Sequence, residues 1–102
     1  MAMPHIYKMV EVSTAHICES TSQRLNASAN TLKPLGEGIK PLPMTVLDTG
    51  YGWIVWIPNT YKEYEDLPAD LYHIFEYAKA HDCEFAMIDV DAEVSIDLPV
   101  YE

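Results

Sequence analysis

Two pairs of potential zinc ligands occur in the sequence, each a histidine and a cysteine separated by one residue. They are His16 with Cys18, and His81 with Cys83. Imidazole and thiolate groups suit zinc, and four of them would complete a tetrahedral site. The predicted sheet would unite the pairs, because it brings the end of the first strand near the start of the last. The spacing differs from that of a usual zinc knuckle. Two surface histidines with two half-buried thiols is therefore the favoured interpretation, and we assign no metal and no cofactor.

Three carboxylates alternate along the segment Asp89, Asp91 and Glu93. On a strand they would share one face. Clustered carboxylates can hold Mg²⁺ or Ca²⁺, but the run lacks the glycine and the distal glutamate of an EF-hand loop. They can also form one end of an acidic face that attracts the Lys and Arg side chains of a partner, and simple solvation is a third interpretation.

Recognisable catalytic motifs are absent from the chain. There is no G-x-S-x-G, no P-loop and no H-E-x-x-H. Ser13 and His16 lie close in sequence, but nothing marks Ser13 as an activated nucleophile. We therefore expect a protein that is not an enzyme, and a metal-dependent enzyme is kept as an alternative.

The elements that must position these residues are predicted from hydrophobic periodicity and turn signals. Helices are predicted within Ala15–Ala27 and at Pro68–Ala80. Strands are predicted at Ile6–Val12, Met44–Leu47, Gly52–Ile57 and Phe85–Val90. This order predicts an α+β, ferredoxin-like βαββαβ fold, a four-stranded antiparallel sheet with two helices on one face. The last strand would lie beside the first and antiparallel to it.

The 102 residues fit one domain, 1–102. Residues 28–43 hold two glycines and three prolines and predict a long loop, either functional or merely flexible. Residues 95–102 are predicted to form a C-terminal extension. No apolar run approaches the roughly eighteen residues of a membrane span, and no signal peptide is recognisable. With only two cysteines, a cytoplasmic protein with free thiols is expected.

The segment Thr49–Trp56 resembles the aromatic octapeptide of RNA-recognition motifs, K/R-G-F/Y-G/A-F-V-x-F/Y. It reads T-G-Y-G-W-I-V-W. In that family, aromatics at the positions of Tyr51 and Trp53 stack on bases, which implies a single-strand nucleic-acid binder as an alternative function. However, Thr49 stands where the family has a basic residue, and the net charge of −10 opposes contact with phosphates. A hairpin whose aromatics form core or a protein contact is the favoured interpretation.

The acidic excess lies in the second half of the chain. Residues 1–50 contain four carboxylates and four basic residues, whereas residues 51–102 contain twelve carboxylates and two lysines. Such a field repels nucleic acid and attracts basic protein surfaces. Aromatic side chains would add anchor area. The predicted partner-binding residues are Asp66, Asp70, Glu76, Asp89, Asp91, Glu93, Trp53, Trp56, Tyr61 and Tyr64.

Five short segments together resemble an uncharacterised family of small acidic proteins carried by phages, plasmids and integrative elements. They are V-E-V-S-T-A-H-I at Val10–Ile17, Y-G-W-I-V-W-I-P at Tyr51–Pro58, L-P-A-D-L at Leu67–Leu71, A-H-D-C-E-F at Ala80–Phe85 and D-L-P-V-Y at Asp97–Tyr101. The resemblance implies a mobile-element context, in which some small acidic proteins inhibit host defence nucleases by occupying their nucleic-acid-binding surfaces.

The charge and the resemblance together predict a non-enzymatic acidic binding protein. Its expected partner is a basic protein surface, one that binds nucleic acid in a host complex. No direct contact with nucleic acid or membrane is expected, and the oligomeric state is left open.

Overall fold

The computed structural model describes residues 4–29, 39 and 41–101. Its main elements are β1 (Met9–Ser13), α1 (Glu19–Ala29), β2 (Val46–Asp48), β3 (Gly52–Trp56), α2 (Ala69–Ala80) and β4 (Phe85–Asp89). Short 3₁₀ turns follow β1 and β3, at Thr14–His16 and Tyr61–Glu63. The predicted α+β class, with two helices and four strands in this order, is confirmed.

Helix α2 follows from local sequence signals at both of its ends. Pro68 is its N-cap residue, where the missing N–H leaves no donor unsatisfied. The helix ends where Asp82 adopts a left-handed backbone conformation, with φ at 61°. This turn lets the Cys83 N–H donate to the Ala78 carbonyl at 2.8 Å, an arrangement typical of helix C-termini.

The sheet is mixed, and this corrects the predicted topology. Its strand order is β1-β4-β3-β2. The pairs β2–β3 and β3–β4 are antiparallel, but β1 and β4 run parallel, with Met9 opposite Phe85 and Ser13 opposite Asp89. The prediction that the last strand lies beside the first is confirmed. The prediction that they are antiparallel, and with it the ferredoxin-like arrangement, is wrong because no short connection between β1 and β4 fixes their relative direction.

A glycine-containing turn joins β2 to β3. Gly50 adopts a left-handed conformation, with φ at 87°, which L-residues adopt only at a cost. At Gly52 a Cβ atom would overlap the backbone carbonyl of Ile88 in β4. The second glycine therefore permits the close approach of β3 to β4 at the start of the strand.

The hydrophobic core lies on one face of the sheet, between the sheet and both helices. From the strands it contains Val12, Val55, Ala86 and Ile88. The helices add a second group of buried side chains, which are Leu25, Leu71, Ile74, Phe75 and Ala78. Helix packing therefore covers one sheet face.

The C-terminal segment, predicted as an extension at 95–102, packs through residue 101 against the 3₁₀ turn that follows β1. His16 is buried in this contact. Its Nδ1 lies 2.8 Å from the carbonyl of Pro99, and the N–H of Ser95 donates to its Nε2 at 2.9 Å. A carbonyl only accepts and a backbone N–H only donates, so the ring is neutral and carries its proton on Nδ1.

The predicted long loop, 28–43, lies largely outside the described residues, since 30–38 and 40 are not among them. Its described end returns to the core. Leu42 is buried, and its N–H donates to the Ser28 hydroxyl at 2.6 Å.

Candidate protein-binding surface

The sheet face opposite the helices is apolar and exposed. Side chains alternate across a strand, so the register aligns on this face the residues that do not enter the core. Met9, Phe85 and Trp56 form one row, and Glu11, Met87, Ile54 and Leu47 form the next. Among them Trp56 is 43% exposed, Met9 47% and Leu47 57%. Exposed apolar patches are candidate sites of protein interaction. We call these seven residues the open face.

Tyr7 extends the open face beyond the start of β1. Its ring stands edge-on to Phe85, with centroids 5.3 Å apart and planes at 87°, a favourable aromatic geometry. Tyr7 is itself 58% exposed. The aromatic part of the surface is therefore continuous from Tyr7 through Phe85 to Trp56.

Carboxylates are the charged groups of the open face. Glu11 ends the second row on the edge strand β1 and makes no ion pair or hydrogen bond with any described residue. Asp89 ends β4 on the same face, and its Oδ1 accepts a hydrogen bond from the Asp91 N–H at 2.7 Å. Asp91 and Glu93 continue beyond the strand and are exposed. Across the part of this face that the structure describes, no lysine or arginine balances them.

The predicted partner-binding residues do not form one surface. Asp70 is buried near the start of α2. Its carboxylate accepts hydrogen bonds from the Cys18 N–H at 2.8 Å and from the Thr21 hydroxyl at 2.9 Å, and so it joins the two helices. Asp66 forms an ion pair with Arg24 at 2.8 Å. Neither carboxylate lies on the open face.

Glu76 and Tyr61 form a polar cluster between α2 and the 3₁₀ turn after β3. The buried Tyr61 hydroxyl donates to Glu76 at 2.8 Å. Burial, together with this carboxylate, raises the pKa of Tyr61 to about 12. Hydrogen bonds from Tyr72 and Tyr61, and the charge of Lys62 at 3.6 Å, lower the pKa of Glu76. These contacts hold Glu76 ionised and already paired within the chain.

The remaining predicted aromatics differ in position. Trp53 and Tyr64 are partly buried against the core, and the Trp53 indole N–H donates to Asn26 at 3.0 Å. Only Trp56 belongs to the open face. Of the ten predicted contact residues, Trp56 belongs to the open face, Asp89 ends β4 on the same side of the sheet, and Asp91 and Glu93 are exposed beyond the strand.

The same register bears on the resemblance to RNA-recognition motifs. Trp53 pairs with Ile88, so it lies on the helix-covered side of the sheet. In those motifs the bases stack on aromatics across the sheet surface. The octapeptide of this chain instead places Gly52, Ile54 and Trp56 on the uncovered side, and the resemblance does not extend to the display of its aromatics.

The four candidate zinc ligands, to which the sequence alone assigns no metal, do not meet. Because β1 and β4 are parallel, His16 and Cys18 follow one end of the sheet, whereas His81 and Cys83 precede the other. His16 already uses both ring nitrogens, and the Cys83 thiol donates to the His81 carbonyl. Among the described residues, no three His, Cys, Asp or Glu side chains are grouped to hold a metal ion. Asp91 lies in the turn after β4 and Glu93 follows that turn, so neither is on a strand.

Cys18 lies at the start of α1 and is partly exposed. Its Sγ is 3.2 Å from the Ser20 hydroxyl and 3.4 Å from that of Thr21. These hydrogen bonds lower the pKa of the thiol. The nearby carboxylate of Asp70 already accepts from the Cys18 N–H and the Thr21 hydroxyl, and the thiol by itself defines no reaction.

Sequence reasoning missed most of the open face, namely Met9, Glu11, Leu47, Ile54, Phe85 and Met87. The sequence of Phe85–Asp89 contains a pattern that could have predicted the open face. This strand has apolar residues at four consecutive positions, F-A-M-I. In a sheet whose two helices cover one side, such a strand must expose apolar side chains on the other.

Comparison with protein families gives one match, over residues 9–102, to the C-terminal domain of a family of unknown function, DUF5983. The chain belongs to this family. The resemblance to an uncharacterised family is thereby confirmed. No curated protein and no solved structure matches the DUF5983 chain. Within the part of the chain that the structure describes, no helix is long and apolar enough to cross a membrane.

Proposed function

We propose that this DUF5983 domain is a non-enzymatic binding protein that docks a partner protein on its open face. The observation that carries the proposal is the exposed apolar side of the sheet, with Trp56 on the inner strand β3 and Glu11 on the edge strand β1. Protein interfaces combine an apolar centre with a polar rim, and tryptophan is among the residues that contribute most to binding.

The apolar rows can supply useful binding energy. Trp56, Met9 and Leu47 are each about half exposed, with 43–57% of their surface in contact with solvent. Covering the exposed half of one such side chain contributes roughly 1 kcal/mol. A partner that covers all three and the neighbouring row gains several kcal/mol, part of which offsets the entropy lost on association.

The charges favour a basic partner over a second copy of the chain. Glu11 and Asp89 would meet a lysine or arginine favourably, and the net charge of −10 would speed the approach of a cationic protein. Two copies packed face to face would oppose acidic groups and repel. We therefore expect the partner to present apolar side chains flanked by Lys or Arg.

A nucleic-acid-binding protein of a host complex is the class of partner that best fits these requirements. Asp89, Asp91 and Glu93 would occupy sites that otherwise hold phosphates, in the manner of a nucleic-acid mimic. The proposed setting is a mobile genetic element, with the protein acting in the cytoplasm as an inhibitor of host defence. The support for this setting is the sequence resemblance described above and the charge.

The test begins with affinity capture from host cytoplasm, followed by measured binding of each identified partner to purified variants. Trp56→Ser should weaken binding on the order of tenfold or more. The control is Ile96→Ser, which removes a fully exposed apolar side chain outside the open face and should leave affinity unchanged. Glu11→Lys should also weaken binding, and raised salt should do so for the native chain.

Two outcomes would refute the proposal. One is a folded Trp56→Ser variant that binds every partner as tightly as the native chain. The other is a dimer of the isolated protein, detected by light scattering, that Trp56→Ser converts to monomer, because the open face would then serve self-association.

Direct binding of single-stranded nucleic acid is the second candidate, and the exposure of Tyr51 favours it. Trp53 faces the helices, and Asp48 and Asp89 lie at the same end of the sheet as Tyr51, where they oppose phosphates. Quenching of tryptophan fluorescence by oligonucleotides at physiological salt would favour this candidate over the first.

A further inference from the structure

A second recognition feature lies at the other side of the sheet, at the end of β4. An open cleft of about 460 Å³ is bordered by α1, the β2–β3 turn and the residue after β4. Two aromatic side chains, Tyr51 and Trp53, line it together with the carboxylate of Asp48. The other polar groups of its lining are the side chains of Thr14, Ser22 and Asn26.

The turn that carries Asp48 and Tyr51 is held in place by its own hydrogen bonds. Asp48 Oδ1 accepts from the Gly50 N–H at 2.7 Å, and the Thr49 N–H donates to the Gly52 carbonyl at 3.0 Å. The Val90 N–H donates to the Tyr51 carbonyl, also at 3.0 Å. The carboxylate and the tyrosine are therefore presented from a fixed backbone, which limits the entropy lost when a ligand binds.

The residues that line the cleft combine hydrogen-bond acceptors with aromatic rings. Asp48 Oδ1 has one described hydrogen bond, whereas Oδ2 has none with any described residue; a carboxylate has room for several more donors. Tyr51 is 67% exposed. None of the described lining residues is a lysine, an arginine or a histidine. A carboxylate beside aromatic rings is the chemistry that recognises an organic cation.

We propose that this cleft binds an arginine side chain of a partner protein. The planar guanidinium group can stack on an aromatic ring while its N–H groups donate to Asp48 and to the neighbouring hydroxyls, whereas a lysine ammonium provides neither the plane nor the fork. Asp89 and Asp91 are the sequence neighbours of Val90 and are not among the described lining residues, so Asp48 is the carboxylate on which the proposal depends. The assignment of this arginine to the protein docked on the open face rests on the proposed function. The binding of a guanidinium group in the cleft does not depend on that function.

The probe is N-acetyl-arginine amide, titrated into ¹⁵N-labelled protein and followed by ¹H–¹⁵N correlation spectra. The two tryptophans give separate reporters, because the Trp53 indole N–H lies at the cleft and that of Trp56 on the open face. The arginine probe should change the chemical shifts of the Trp53 indole N–H and the Gly50 amide until they saturate. The shift of the Trp56 indole N–H should not change. N-acetyl-lysine amide should bind about two- to fivefold more weakly.

Asp48→Asn is the decisive variant. The amide oxygen can still accept from the Gly50 N–H, so the turn is kept while the charge is lost. Affinity for the arginine probe should fall about two- to fivefold, and Tyr51→Ala should lower it by a similar factor. The matched control is Asp82→Asn, which removes one exposed charge at the opposite end of the sheet and should leave the affinity unchanged.

Three results would overturn the inference: no saturable shift at the Trp53 indole, equal binding of the lysine and arginine probes, or an Asp48→Asn variant that binds like the native chain. None of these would affect the open-face proposal, which is tested by Trp56→Ser. Conversely, loss of the open-face proposal would leave a measured guanidinium site in place.

Discussion

Replacement of Asp70 by alanine tests whether this carboxylate stabilises the fold or contacts a partner. Asp70 is 4% exposed, and its oxygens accept from the Cys18 N–H at 2.8 Å and from the Thr21 hydroxyl at 2.9 Å. Thr21 is itself 1% exposed. The Leu71 N–H donates to the same carboxylate at 2.9 Å. Alanine would leave all three donors without this acceptor in a region that water reaches poorly. The variant should therefore lose stability and not merely one surface charge.

The magnitude follows from the donors that lose this acceptor. Each unsatisfied buried donor costs about 1–3 kcal/mol. The Cys18 N–H is only partly buried, so the two buried donors, the Thr21 hydroxyl and the Leu71 N–H, set a loss of about 2–6 kcal/mol in the free energy of unfolding. For a domain of this size such a loss corresponds to a fall in melting temperature of roughly 10–40 °C. The total stability of a small domain is about 5–15 kcal/mol, so a loss near the lower end of this range leaves the variant folded at room temperature.

Urea denaturation followed by circular dichroism measures this loss, and Asp66→Ala is the matched control. Asp66 is likewise a carboxylate that contacts α1, through an ion pair with Arg24, but 49% of its side chain is exposed. Its replacement should cost less than about 1 kcal/mol. A Thr21→Val and Asp70→Ala double-mutant cycle should give a coupling free energy of about 1 kcal/mol, because the two side chains share one hydrogen bond.

The result that would refute this reasoning is a folded Asp70→Ala protein no less stable than Asp66→Ala. If that protein also lost partner binding, Asp70 would be a contact residue, as the sequence alone predicts, and its burial in the structure would not describe the solution state.

Three further variants test other parts of the fold. His16→Phe removes both hydrogen bonds to the C-terminal segment and should cost about 1–3 kcal/mol, with faster amide exchange in that segment as the specific sign. Gly52→Ala should cost at least about 1 kcal/mol by urea denaturation, since its Cβ would overlap the Ile88 carbonyl; Gly50→Ala, where a Cβ meets nothing, isolates the backbone strain. Tyr61, with its pKa raised to about 12, stays protonated in the folded state after it ionises in the unfolded chain. The contribution of protonated Tyr61 to folding stability is therefore complete below about pH 10 and is lost towards pH 12. Tyr61→Phe should reduce the loss of stability that denaturation measures between these two pH values.

The sequence predicts elements well where the signal is local. Helix α2 was expected at Pro68–Ala80 and spans Ala69–Ala80, because proline, a helical apolar stripe and the terminal charges act within one segment. The hairpin was expected around the glycines of residues 48–52, and Gly50 and Gly52 do hold its turn. Strand β1 begins three residues later than predicted, at Met9, since strand ends depend on the neighbouring strand.

The candidate surfaces were predicted only in part. Four residues named from composition and alternation are exposed or partly exposed: Trp56 on the open face, Asp89 at the end of β4 on the same side of the sheet, and Asp91 and Glu93 beyond the strand. Asp70 and Tyr61 carry the same residue types but are buried. A carboxylate that binds a partner and one that joins two helices look alike in a sequence, because the difference lies in what distant residues bring to them.

Composition and periodicity by themselves determined the number and order of the elements, the acidic character of the second half and the apolar nature of β4. Only the tertiary structure decided that β1 runs parallel to β4, that the zinc-like pairs lie at opposite ends, and that one side of β4 has no helix over it. The physical reason is that strand direction and helix placement come from contacts between residues far apart in the chain, whose energies no local pattern records.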